Sequence, residues 1–195
     1  MSLTEDRYDH IFQIIKERRR STDLASEGMM ATIEFYPEEG MYHWDGHRDC
    51  NFSCAPTESH RLKGLCPRCG RPLVIGVSGR VEDLADRPLG FRPPAAVPFQ
   101  RLVELDKIIA ESLNIKNRQA RKVTVVYNEL ISSFGSELSI LLDLDLDKLK
   151  IVNPRVATGL DRVRRGELSL HPGFDGQYGQ VRVFSEDESQ PVALF

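Results

Sequence analysis

All four cysteines of the 195-residue chain fall within one short window, as Cys50, Cys54, Cys66 and Cys69 in a C-x3-C-x11-C-x2-C spacing. The second pair lies in Cys66-Pro67-Arg68-Cys69-Gly70. On such a tight turn two thiolates point the same way, and the glycine permits the twist that aims backbone amides at the sulfurs. Two pairs separated by about a dozen residues supply a tetrahedral thiolate site, the preferred coordination of one structural Zn2+ ion. The competing readings explain less. Two disulfides need an oxidising compartment, and no secretory leader is read before the window, so the expectation is reduced thiols and a cytoplasmic protein. A redox C-x-x-C accounts for only one pair. The fourth ligand stays open between Cys54 and His47, because His47-x2-Cys50 is itself a knuckle-like pair and imidazole and thiolate are both good zinc donors. His60, in the intervening loop, is expected to face solvent.

Length allows one sizeable domain or two small ones. With 41% hydrophobic and 28% charged residues the chain reads as globular, and its net charge of -3 excludes a wholly basic nucleic-acid-binding protein while leaving room for a local basic face. No apolar run approaches the roughly 20 residues a bilayer needs, so no membrane span is expected. Met1-Ser2-Leu3 reads as a vector-derived leader, which makes an excised piece of a longer protein the expectation.

Periodicity gives an α+β organisation: a small β-rich, zinc-ribbon-like module followed by a mostly helical module with short terminal strands. The expected divisions are an N-terminal helix and loop over 1–29, a zinc module over 30–86, a proline-rich linker over 87–98 and a helical module over 99–195. Residues 4–20 suit an amphipathic helix with Tyr8, Ile11, Phe12 and Ile15 on one face. Met30–Tyr36 alternates as a strand, with Met41–Trp44 as its return across a Pro37–Gly40 turn, and Leu73–Val77 reads as a further strand before a helical turn over Val81–Ala85. Helices are expected over 100–113 and 117–134, a strand over Leu138–Leu144, and a third helix from Pro154 to Arg165 stopped by Gly166. Short strands over 167–170 and 180–184 flank the turn-rich His171–Gly176, and an acidic tail, Ser185–Gln190, follows.

Two basic clusters bear on function: Lys116, Arg118, Arg121 and Lys122 at the start of the second late helix, and Arg155, Arg162, Arg164 and Arg165 on the third. Basic groups near helix amides are natural phosphate contacts, and a solvated helix face is the plainer alternative. His43-x-Asp45-x-His47 would align three ligand-type side chains on an extended stretch, as a second metal site or as zinc-site and surface groups; the second reading is preferred. Trp44 and Phe52 suit either base stacking or core filling. No G-x-x-x-x-G-K-[ST], H-E-x-x-H or nucleophile elbow is present, so no catalytic residues are assigned.

Several longer motifs are distinctive: ATIEFYPEEG (31–40), YHWDGHRDC (42–50), LCPRCGRPL (65–73), VEDLADR (81–87), FGSE (134–137), PRVA (154–157) and PGFDGQYG (172–179). Together they resemble the C-terminal half of PHP-domain proteins of the endonuclease Q family, once labelled UvrD-related helicases. The resemblance runs from about residue 8 to the end. It implies a parent enzyme that cleaves DNA beside deaminated bases through metal ions in an upstream PHP catalytic domain, with this chain as the accessory half that helps hold DNA. The family's first ligand segment, D-G-H-R-x-C, has no fixed cysteine at position 54, which keeps His47 as a ligand. Gly79 stands where the family pattern carries a histidine, so any role of that histidine is missing here. An ATP-dependent helicase finds no support in these residues. A zinc-ribbon protein-interaction module, motivated by the apolar face of residues 4–20, is the alternative from another class.

Overall fold

The structure, a computed structural model, describes residues 8–17, 28–94, 96–185 and 188. In chain order it contains helix α1 (Tyr8–Lys16), strands β1 (Thr32–Glu34), β2 (Asp45–His47) and β3 (Phe52–Cys54), and helices α2 (Pro56–Arg61) and α3 (Val77–Leu84). Strand β4 (Phe99–Arg101) then leads into helices α4 (Leu105–Ser112), α5 (Arg121–Phe134), α6 (Glu137–Leu142), α7 (Leu146–Val152) and α8 (Pro154–Arg165), and strands β5 (Ser169–His171) and β6 (Gln180–Arg182). The fold is α+β, with helices carrying the core and three two-stranded ladders. No described helix is long and apolar enough to cross a membrane.

Two compact units result. One joins the residues up to Phe35 with Asp86–Arg101. In it β1 runs parallel to β4, with Ile33 opposite Gln100. Ile14 is the buried residue of α1, whereas Tyr8, Phe12 and Ile15 of the expected apolar face are exposed. The ends of the expected helix (4–7 and 18–20), the loop over 21–27 and most of the acidic tail lie outside the described residues.

The other unit combines Tyr36–Ala85 with Leu102 onward. Its core gathers Leu105, Ile108 and Ile109 of α4, Val123 and Leu130 of α5, Ile140 of α6, Leu149 of α7, Leu160 and Val163 of α8, and Val181 of β6. Local signals set the helix ends. Asn153 caps α8 by accepting from the Val156 amide at 3.1 Å, Pro154 fills a position whose N–H would be orphaned anyway, and Gly166 closes it at φ 69°. Glu137 of the FGSE motif ties three helices together: its carboxylate accepts from the Leu105 amide at 2.9 Å and the Tyr127 hydroxyl at 2.8 Å.

Three expectations need correcting. Leu138–Leu144 is not a strand: Ser136 caps α6 by accepting from the Ser139 amide, and Ile140 and Leu141 are buried together on one helical face. Met41–Trp44 does not return against residues 30–36. Pro37 starts a 3-10 turn, and the His43 and Trp44 amides donate instead to the Gly173 carbonyl at 3.1 and 2.9 Å. Leu73–Val77 contributes only a bridge between Val74 and Gly46, after which Val77 begins α3. Helices α2 and α7 are too short to carry a periodic signature and have no counterpart among the sequence expectations.

Candidate metal centre and nucleic-acid surface

The metal centre grows from two knuckles. Strands β2 and β3 pair antiparallel with Asp45 opposite Cys54 and His47 opposite Phe52. A 3-10 turn over Arg48–Cys50 joins them, and Asn51 at φ 44° supplies the left-handed step that reverses the chain. The turn sets Cys50 beside His47 at the open end of the hairpin. In the second knuckle the Gly70 amide donates to the Cys66 carbonyl and the Cys66 amide to the Arg71 carbonyl, each at 2.8 Å, with Gly70 at φ 74°. Arg68 crosses between knuckles and donates to the Cys50 carbonyl at 2.6 Å.

The donor atoms of His47, Cys50, Cys66 and Cys69 all lie within 4.8 Å of one another, and Cys69 Sγ is 3.6 Å from His47 Nδ1. This cluster could hold a metal ion. Cys54, which cysteine spacing alone selects, is outside it. Its register opposite Asp45 puts it one strand repeat, about 6–7 Å, along the ladder from His47. There it is buried with Cys66 and Leu73 in a small apolar cluster, against which Phe52 packs as filler. Burial first, and then the charges of Asp45, Glu58 and Cys66, push the Cys54 thiol up. Cys50 is pushed up to about 11, foremost by hydrogen bonding with Cys69. At Cys66 burial acts upward, but the amides of Arg68 and Cys69 outweigh it and the net shift is downward. Amides aimed at a thiolate are what a metal-bound sulfur requires.

His43, Asp45 and His47 do not converge on a second centre. His43 Nε2 is 3.1 Å from the Ser78 hydroxyl, and the buried Asp45 carboxylate accepts from the Gly76 amide at 2.7 Å. Both tie the hairpin to the start of α3. His60 is exposed, with its ring 3.2 Å from Asp83.

Residues 171–179 read in sequence only as a turn between strands, whereas in the structure this loop clamps the metal hairpin. The Gly173 amide donates to Glu38, that of Gly176 to Met41 and that of Gly179 to Glu39, at 2.9, 3.1 and 3.1 Å. The Arg48 amide donates to the Asp175 carboxylate at 2.6 Å. Gly46 must be glycine because a Cβ there would sit 2.8 Å from the Phe174 ring. The glycines of PGFDGQYG are the signal that sequence offers for this clamp.

The basic residues divide by partner. Lys116, Arg121 and Lys122 are exposed and have no carboxylate partner among the described residues. Arg118 is paired with Asp106 and Glu104, which raises its pKa, chiefly through the hydrogen bond to Asp106. Arg162 forks onto the Glu188 carboxylate at 2.8 and 2.7 Å, and Arg155 donates to the Glu188 carbonyl at 2.6 Å. Arg164 donates to the carbonyls of Leu141 and Ile140 at 2.8 and 2.9 Å, capping the C-terminal end of α6.

An α+β chain with a cluster of one histidine and three cysteines set against a helical core has close counterparts among DNA-processing proteins: in both fold and sequence it is similar to endonuclease Q. The crystal structure of the lesion-specific endonuclease PfuEndoQ from Pyrococcus furiosus superimposes with a TM-score of 0.78 at 26% identity, over 98% of this chain and 46% of that one. An endonuclease Q complex with a 27-mer duplex carrying an abasic lesion at the active site gives a TM-score of 0.74 at 26% identity and the same coverage. The family model of the MJ0043 C-terminal domain matches residues 104–167. The uncharacterized protein MJ0043 of Methanocaldococcus jannaschii is 27% identical over 180 residues, which is 91% of this chain and 21% of that protein. The chain thus spans under half of the solved structures, and about a fifth of the curated relative.

Proposed function

We propose that this chain is the zinc-containing, DNA-holding region of a PHP-type repair endonuclease that acts at deaminated bases, with the catalytic metals in an upstream PHP domain. The observation that carries the reading is the match of 98% of the chain to less than half of a lesion-specific endonuclease, with its own histidine–cysteine centre intact. One imidazole and three thiols suit a structural Zn2+, whose tetrahedral thiolates stand about 3.8 Å apart. His47, Cys50, Cys66 and Cys69 would hold it, fixing the two knuckles against each other and supplying no chemistry to substrate. Lys116, Arg121 and Lys122 lead the phosphate contacts, because their charges are not neutralised within the described structure. Arg118, Arg155, Arg162 and Arg164 join them only where their internal pairs open.

The test is fluorescence anisotropy of a labelled duplex carrying one deoxyuridine, titrated with the chain from low to moderate salt. Binding should weaken linearly in log–log form, and changing Lys116, Arg121 and Lys122 together to Gln should flatten the slope by about 2–3. Salt-independent binding, or none at low salt, would refute the reading. One observation favours a protein partner as well: α3 exposes Val77, Val81 and Leu84 along one side. Capture of a separately produced PHP domain, lost on Val81→Asp, distinguishes that role.

A further inference from the structure

The loop over 171–179 does more than brace the metal hairpin. It holds Tyr178 with three-quarters of its surface in solvent, 76% exposed, while Tyr42 on the hairpin is 49% exposed. Large aromatic groups on mobile loops are ordinary surface decoration, but these two sit on backbone that is fixed on both sides. Gln177 exchanges hydrogen bonds with Phe174 at 2.8 and 3.0 Å, and the next residue after Tyr178, Gly179, donates to Glu39. Around Tyr42, the Met41 carbonyl accepts from Gly176, the Tyr42 carbonyl accepts from Val77 at 2.7 Å, and the His43 amide donates to Gly173. The Tyr42 hydroxyl and the exposed Arg48 guanidinium both flank Gly176, at 3.5 and 3.4 Å from where its Cβ would stand. A fixed aromatic ring can stack on any nucleobase, since every base offers a π-face, and an adjacent guanidinium suits the neighbouring phosphate.

We infer that Tyr178 and Tyr42, with Arg48 between hairpin and loop, form a platform for an unstacked base of the bound DNA. The inference rests on the DNA-holding reading above and gives that reading a place on the molecule. Pre-organised rings lose little entropy on stacking, which is why the clamp and the exposure matter together. The close approach of loop and hairpin backbones at Gly173 and Gly179 is then what holds the rings in place.

The experiment uses the full chain and a duplex with 2-aminopurine opposite an abasic site, read by both anisotropy and 2-aminopurine fluorescence. Tyr178→Ala should weaken binding on the order of tenfold and abolish the fluorescence change, with the salt slope unmoved. Tyr178→Phe and Tyr178→Trp should retain both signals, and Tyr42→Ala should show a smaller loss. Native Trp44 emission and metal content certify each fold. If Tyr178→Ala binds and quenches like the unsubstituted chain, or if Tyr178→Phe loses as much as Ala, the platform is refuted while the DNA-holding reading stands. If the unsubstituted chain binds no duplex, both fall.

Discussion

Replacing Gly179 with Ala isolates how tightly the 171–179 loop is clamped. Gly179 does not occupy the left-handed region, so space alone forbids a side chain there. Its Cβ would collide with the Glu38 carbonyl, and would stand 2.5 Å from the Gly173 amide nitrogen and 2.6 Å from the His171 carbonyl. All three are backbone atoms and cannot rotate aside. Relief therefore requires the loop to lift from the hairpin. Six hydrogen bonds join the two: from the amides of His43, Trp44, Gly173, Gly176 and Gly179, and from the Arg48 amide to Asp175. At about 0.5–1.5 kcal/mol net each, their loss sets a ceiling of about 3–9 kcal/mol, and partial relaxation brings the expected cost to about 3 kcal/mol. Trp44, the only tryptophan, contributes its own amide to this clamp, so its fluorescence reports the region during denaturant unfolding. Gly166→Ala is the control: φ is 69° and nothing lies within 4 Å of its Cβ, so only the left-handed penalty of about 1 kcal/mol applies. If Gly179→Ala unfolds within about 1 kcal/mol of the parent and no more easily than Gly166→Ala, the clamp is not tight and the reasoning fails.

Two further outcomes follow from buried charge. Arg164→Met should destabilise the chain by about 2 kcal/mol in denaturant titration, because the Leu141 and Ile140 carbonyls lose a charged donor, while duplex affinity at fixed salt stays level. Glu111 accepts from the Val183 and Phe184 amides, yet burial dominates and raises its pKa. A carboxyl that binds its proton more tightly when folded adds stability below its ordinary value and loses that stability as pH rises through the raised one. Unfolding free energies of Glu111→Gln across mildly acidic pH should therefore lack this downward step; an unchanged profile would show that Glu111 is not its source.

Much of the helical core could be read directly. Pro154 and Gly166 bound α8 as expected, and Leu102, Leu105, Ile108 and Ile109, expected on one helical pattern, are all buried. The metal centre was half visible. Cysteine spacing located the knuckles, but His47 and Cys54 differ only in hairpin register, which depends on where the 3-10 turn over Arg48–Cys50 reverses the chain. The failures share one cause: non-local partners outweighed local pattern. Leu138–Leu144 alternates well enough for a strand, yet the Ser136 cap and a helical core won. Met41–Trp44 found its backbone partner more than a hundred residues away, in the Gly173 loop, which no local signal announces. The same holds for the arginines, whose value as phosphate contacts depends on Glu188, Asp106 and the end of α6.

Elemental analysis by mass spectrometry of the purified chain, beside Cys54→Ala and His47→Ala, tests the His47-Cys50-Cys66-Cys69 centre most directly. The expected result is one zinc per chain in the parent and in Cys54→Ala, with zinc lost or readily stripped by a weak chelator in His47→Ala. Full zinc in His47→Ala together with none in Cys54→Ala would contradict the centre and return the fourth ligand to Cys54.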